Sequence, residues 1–167
     1  MKGEAKVVQY LNDVLKNEFT SINQYFLHYR MLDHWGVKRL AKFEYEESID
    51  EMKHADRLAE RILFLESLPN FQALGRLRIG ESVEEVLRAD LELENEAVPL
   101  LKKAIAHCEK AHDYVSRDLF SSILDSEEEH IDTLERQFDM IERMGVENYI
   151  QLHSRNCSGG WQKMVAR

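Results

Sequence analysis

Apolar residues recur every three to four positions along four long stretches of this chain, the spacing of helices that bury one face. The first stretch follows Leu11, Leu15, Ile22, Tyr25 and Tyr29 and stops near Trp35 and Gly36. The second follows Leu40, Phe43, Glu47, Leu58, Ile62 and Leu65. It is expected to end before Leu68 and Pro69, because a residue ahead of proline avoids helical angles. A third runs through Leu87, Leu91, Val98, Leu101, Ile105 and Cys108, with Ser82 and Glu85 spaced ahead of it as a capping box. The fourth follows Phe120, Ile123, Leu134, Phe138 and Ile141 and stops at Gly145. Pro99 falls inside the third pattern and is expected to kink or interrupt it, since it lacks an amide hydrogen and crowds the carbonyl four residues back.

Helices of roughly 25–30 residues are about 40 Å long at ~1.5 Å per residue. The links near Gly36 and at 109–113 are short and make antiparallel neighbours. The link at 67–81, with Pro69, Gly75 and Gly80, reaches about 50 Å when extended, enough to run the length of a bundle. The pattern therefore predicts an all-α four-helix bundle: two hairpins joined by a long crossover that leaves helices two and three parallel. A short fifth helix, Val146 to Leu152, is too short to stand alone and is expected to dock. Residues 1–153 form one predicted domain, and the tail 154–167, with Gly159 and Gly160, reads as mobile.

Composition narrows the chemistry. At 167 residues the chain suits a single core, and 44% hydrophobic with 32% charged residues argues against disorder. A net charge of −9 disfavours nucleic acid and would draw cations toward any concave surface lined by the acidic groups. Cys108 and Cys157 form no Cys-x-x-Cys pair, so neither a thiolate metal knuckle nor a disulfide framework is expected. Met1 to Lys6 leads into an amphipathic stretch and not an apolar leader, and no apolar run exceeds five residues. A soluble cytoplasmic protein, with no membrane partner, is the expectation.

Ionisable residues interrupt all four apolar stripes: Glu18, then Glu51 with His54, then Glu94, then Glu127 with His130. Glu18 to Glu51 and Glu94 to Glu127 are each 33 positions, and each later glutamate has a histidine three residues on. A shift of 76 carries one set onto the other, so one hairpin repeats the polar plan of its partner. Four buried carboxylates cannot all stay charged and unpaired; two of them ~4 Å apart repel by about 4 kcal/mol at an effective dielectric of ~20. Two divalent cations would bring four positive charges against four negative ones. Glu-x-x-His places carboxylate and imidazole on one helix face. Four oxygens and two nitrogens without thiolate suit Fe or Mn better than structural Zn. A lone Glu from each of two helices, with Glu-x-x-His from each of the other two, is also the ligand plan of ferritin-like di-iron bundles. A further Glu-x-x-His, Glu109 to His112, lies at a predicted turn without a repeat partner and is incidental.

With these residues in view, the chain resembles the bacterioferritins over residues 1 to about 153. The likeness is carried by Met1-Lys2-Gly3, by Asn23-Gln24-Tyr25-Phe26-Leu27-His28, by the run from Glu47 to Asp56 containing Asp50-Glu51-Met52-Lys53-His54, and by Asp113-Tyr114-Val115-Ser116-Arg117-Asp118. The resemblance implies a ferritin-like fold and a ferroxidase centre of Glu18, Glu51, His54, Glu94, Glu127 and His130. In it Glu51 and Glu127 bridge two irons, while Glu18 with His54, and Glu94 with His130, complete one iron each. It further implies haem b between two subunits, each giving a methionine that matches Met52. Met52 lies about 100° around its helix from Glu51, away from the metal face. An inner-surface iron site at Glu46 and Asp50 is implied, although some members carry histidine where Glu46 stands. Thr133 replaces an aromatic of some members, and the tail is longer than usual. The family assembles from dimers into a twenty-four-subunit shell around a ferric oxo-hydroxide mineral, with a small ferredoxin as an expected electron donor for iron release. Two rivals use the same ligands: a non-catalytic binding shell, and a substrate-oxidising di-metal enzyme, which needs a longer chain with a substrate pocket.

Overall fold

The computed structural model describes residues 1–154; the expected mobile tail falls, from 155 onward, outside the described residues. Five helices follow in order: α1 (Ala5–His34), α2 (Lys38–Phe64), α3 (Val83–Ala111), α4 (Tyr114–Met144) and α5 (Val146–His153). The expected four-helix bundle with a short fifth helix is the architecture found. No helix among the described residues is long and apolar enough to cross a membrane.

The ends of the helices follow from local chemistry. Glu4 caps α1 by accepting the Val7 amide at 3.0 Å, and Gly36, at φ +84°, turns the chain into α2. α2 stops at Phe64, earlier than Pro69 alone would require. Glu66 takes a left-handed conformation at φ 58°, and the Ser67 amide returns to the Ile62 carbonyl at 3.1 Å. This strained cap is tied to the N-terminus: the Met1 ammonium meets Glu66 at 2.6 Å, and the Gly3 amide donates to Leu65 O at 3.1 Å. The Ser82 hydroxyl accepts the Glu85 amide at 3.2 Å, while Glu85 reaches back one residue further than a capping box requires, to the Glu81 amide at 2.8 Å.

Of the kink or interruption expected at Pro99, the interruption is not found: α3 runs through it unbroken. Pro99 and Asn95 are both exposed, so the carbonyl that proline leaves without an amide partner faces water. α5 docks through Tyr149, which is fully buried, donates to Gln137 Oε1 at 2.8 Å and stacks on His153 with centroids 4.0 Å apart.

Contacts fix the directions. Gly3 meets Leu65 while Lys38 meets Asp33, so α1 and α2 are antiparallel. Glu4 meets His107 while His28 meets Asp90, so α1 and α3 are antiparallel too, and α2 runs parallel to α3. The crossover, residues 65–82, climbs along α1. Four side chains on one α1 face accept its amides: Asn12 from Asn70 at 2.7 Å, Thr20 from Gly75 at 2.8 Å, Gln24 from Arg78 at 2.9 Å and His28 from Gly80 at 3.1 Å. A segment without regular structure is thus fastened along its length, and its buried Gly80 amide is satisfied, as burial demands.

The apolar core is in two parts. One contains Leu11, Leu15, Leu58, Ile62, Phe120 and Ile123; the other contains Leu32, Leu40, Leu87, Leu134 and Tyr149. Each fully buried leucine or isoleucine contributes about 1.5–3 kcal/mol, so both ends of the bundle are held firmly. Between them lies a layer of buried polar groups.

Candidate metal centre

α1 supplies Glu18 to this layer, α2 supplies Glu51 and His54, α3 supplies Glu94, and α4 supplies Glu127 and His130. All six are less than a tenth exposed. They form two groups, Glu18–Glu51–His54–Glu127 and Glu51–Glu94–Glu127–His130, within each of which the ligand atoms lie inside 4.8 Å of one another. Glu51 and Glu127 belong to both groups, so the structure brings together all six residues and shares the two named as bridging.

Each histidine turns Nδ1 inward. His54 Nδ1 is 3.3 Å from Glu18, 3.2 Å from Glu51 and 3.8 Å from Glu127. His130 Nδ1 is 3.2 Å from Glu51 and 3.6 Å from both Glu94 and Glu127. Glu51 Oε1, Glu127 Oε2 and His130 Nδ1 are buried with no hydrogen-bond partner. Buried polar atoms without partners are costly, and three of them facing one small volume fit a pair of cations held among them.

The charges respond to this crowding. Burial, reinforced by the neighbouring carboxylates, pushes Glu18 and Glu127 well above the ordinary 4.5. Burial also works against Glu51, but hydrogen bonds from Glu18, His130 and His54 outweigh it and hold this carboxyl below its ordinary range. Burial opposes the charge on His130, while Glu127, Glu47, Glu51 and Glu94 together raise its affinity for a proton.

A pH dependence follows for metal-free protein. Glu18, Glu127 and His130 bind protons more tightly folded than unfolded, so stability falls as pH rises above 4.5, and further above 6.5. The contribution of Glu51 has the opposite sign and is lost only as pH falls below 4.5. The thermal midpoint of chelated protein is expected to drop between about pH 5 and pH 8, and bound divalent metal should flatten the slope. A rising midpoint for the chelated protein would contradict this electrostatic picture.

Neighbouring groups complete the layer. Tyr25, fully buried, donates its hydroxyl to Glu94, and its proton is held more tightly than usual by burial and the adjoining carboxylates. Glu47 places Oε2 2.6 Å from His130 Nε2. A third buried group, His28–Glu44–Asp90, also brings potential ligand atoms within 4.8 Å. There, however, His28 Nε2 accepts the Gly80 amide, so Nδ1 carries the hydrogen and donates to Asp90 at 2.9 Å. With Nδ1 acting as a donor, the imidazole has no lone pair to offer a metal. Gln24 Nε2 adds a second donor to Asp90 at 2.8 Å. Burial, reinforced by the adjoining Asp90, pushes Glu44 well above the ordinary range. His28, Gln24, Asp90 and Gly80 form a clasp between α1, α3 and the crossover, while the two Glu44 oxygens from α2 have no hydrogen-bond partner among the described residues.

Repetition could not reveal this clasp. The shift of 76 carries His28 onto Ala104, and Asp90 back onto Val14, so neither has a counterpart. The available signal was spacing: Glu44, Glu47 and Glu51 lie on one face of α2, and Asp90 lies one turn before Glu94. Glu46 and Asp50 belong to none of the buried groups; they pair with Lys42 at 3.3 Å and Lys53 at 2.6 Å. Met52 is 52% exposed, directed away from the centre. His112 is exposed at the α3–α4 turn, away from any cluster, as its incidental motif implied.

The family model described as Ferritin-like domain matches residues 8–144. A bacterioferritin of Brucella melitensis biotype 1 is 52% identical over 92% of this chain and 96% of its own length. The bacterioferritin of Streptomyces coelicolor is 47% identical over 90% of each chain, and that of Rhodobacter capsulatus 44% identical over 92% of this chain and 96% of its own. A bundle whose buried middle gathers four glutamates and two histidines, matched along nearly its full length by such relatives, belongs to the bacterioferritin family.

Proposed function

We propose that this chain is an iron-storage and detoxification protein of the cytoplasm that oxidises Fe(II) to Fe(III) at the paired site and lays down ferric mineral inside a shell of many copies. The observation that carries this reading is the division of six buried ligands into two groups sharing Glu51 and Glu127. Fe(II) is the substrate. Glu18 with His54 holds one ion, Glu94 with His130 the other, and the shared carboxylates keep the two close enough to give electrons to one oxidant, dioxygen or peroxide. The protein residues hold and orient; the carboxylates balance the incoming charge, and the apolar clusters on either side restrict access by water. The ferric product is stored as an oxo-hydroxide in the shell cavity. Glu46 and Asp50 would offer carboxylates to iron on the inner surface once their lysine partners are displaced.

For haem b, the donor chemistry fits. Met52 is a half-exposed thioether on the outer side of α2, one α2 face along from Tyr45, which packs on Tyr29 with centroids 5.2 Å apart. A soft, solvent-facing thioether suits a haem iron shared with a second copy, where the group would let electrons reach stored iron. A small ferredoxin is the proposed donor, and a homo-oligomer of twenty-four subunits built from dimers the proposed assembly.

Purified protein given Fe(II) in air is expected to develop ferric absorbance faster than buffer alone and to elute as a large shell. Its spectrum and metal content report haem and iron together. A small oligomer that leaves Fe(II) to oxidise at the buffer rate would refute the proposal. A shell that fails to accelerate oxidation would favour the non-catalytic storage reading.

A further inference from the structure

The two halves of the centre share one plan but differ around it: Tyr25, which donates to Glu94, is matched under the shift of 76 by the core residue Leu101, and a second difference lies beside the histidines. Glu47 stands one helical turn before Glu51, and the residue that the shift of 76 pairs with it is Ile123, one turn before Glu127. Ile123 is fully buried in the apolar core. The consequence appears at the histidines. His130 presents Nδ1 to the carboxylate cluster and has Glu47 Oε2 2.6 Å from Nε2. His54 presents Nδ1 to the same cluster but has no carboxylate within 4.0 Å of its Nε2 among the described residues. The Glu47 contact is short but off the line of a good hydrogen bond, since Glu47 Oε2 has no partner of proper geometry.

A carboxylate on the far nitrogen of a metal-binding histidine fixes the tautomer, holds the ring plane and raises the basicity of the ligating nitrogen. We infer that Glu47 is the positioning residue of His130 and makes the two metal positions unequal, the Glu94–His130 position holding its ion more tightly than the Glu18–His54 position. The inference rests on the paired-site reading and assigns Glu47 a role through His130, outside the set of six ligands.

Co(II), which is not oxidised under these conditions and reports its ligands by visible absorption, is the probe. Anaerobic titration of the assembled, iron-free protein is expected to show two unequal equivalents. Glu47→Ala should weaken the tighter one by about 10–100-fold and leave the other in place. Glu47→Gln, which keeps an oxygen able to accept from Nε2, should recover part of the loss. In a His130→Ala background the Glu47→Ala change should add nothing, whereas in a His54→Ala background it should keep its full effect. Unchanged circular dichroism and shell elution identify each variant as folded, and the near-isosteric Glu47→Gln serves if the alanine variant does not fold. Equal weakening of both equivalents, no weakening, or an effect that persists without His130 would overturn the inference while leaving the paired site standing. A parent protein that binds no Co(II) would remove the paired-site reading itself.

Discussion

Alanine at both Glu51 and Glu127 is expected to cut the rate of Fe(II) oxidation by at least about 100-fold while the shell still assembles. Outer-sphere partners of a metal commonly account for about 10–100-fold in affinity or activity, and these two carboxylates are ligand atoms common to both groups. Their loss would separate the two ions as well as weaken each. Assembly should survive because both side chains are only 1% exposed and so make no outer surface. Initial rates of ferric absorbance at a fixed iron-to-protein ratio, with size-exclusion elution beside them, decide the matter. A rate within a factor of two of the parent would remove Glu51 and Glu127 from the chemistry.

The bundle and the gathering of six buried glutamates and histidines were legible in the sequence because both are periodic. Apolar stripes gave the helices, and charged residues breaking those stripes at a repeated interval gave the centre. What was not legible is what breaks periodicity. α2 ends at a left-handed Glu66 that the N-terminal residues contact, across 65 positions of sequence. Pro99 is accommodated because its turn of α3 faces water, which spacing alone leaves open. Glu47 resembled an ordinary member of a helical stripe, and only its distance to His130 gives it a part. The clasp of His28 and Asp90 joins two helices and the crossover at positions with no repeat.

Gly80→Ala is expected to give the largest loss of stability from any single methyl group in the crossover, at least about 2–3 kcal/mol. A Cβ there would lie 2.2 Å from the Val86 amide nitrogen and 2.5 Å from the Glu85 carbonyl carbon, both backbone atoms of the first turn of α3. Neither can turn aside as a flexible side chain would. The Gly80 amide would be pushed off His28 Nε2, and the clasp around Asp90 would loosen with it. Gly75→Ala is the control. Its Cβ would meet the Thr20 hydroxyl at 3.0 Å, a side-chain atom that can yield, so a cost below about 1 kcal/mol is expected. Denaturation midpoints of the two variants beside the parent test the difference; equal midpoints would mean that the start of α3 is not the constraint.

The stretch from residue 65 to 82 is the longest without a helix among the described residues, and it would ordinarily be chosen for a fused tag or a protease site. Its amides are handed one after another to Asn12, Thr20, Gln24 and His28, so it behaves as a fastened strap. Added residues would be absorbed around Leu68, which projects outward ahead of the first fastening, whereas the same insertion between Gly75 and Gly80 would unbutton the two hairpins from each other. The place that looks most open to engineering is thus divided in two, one half permissive and the other a fastening of the fold.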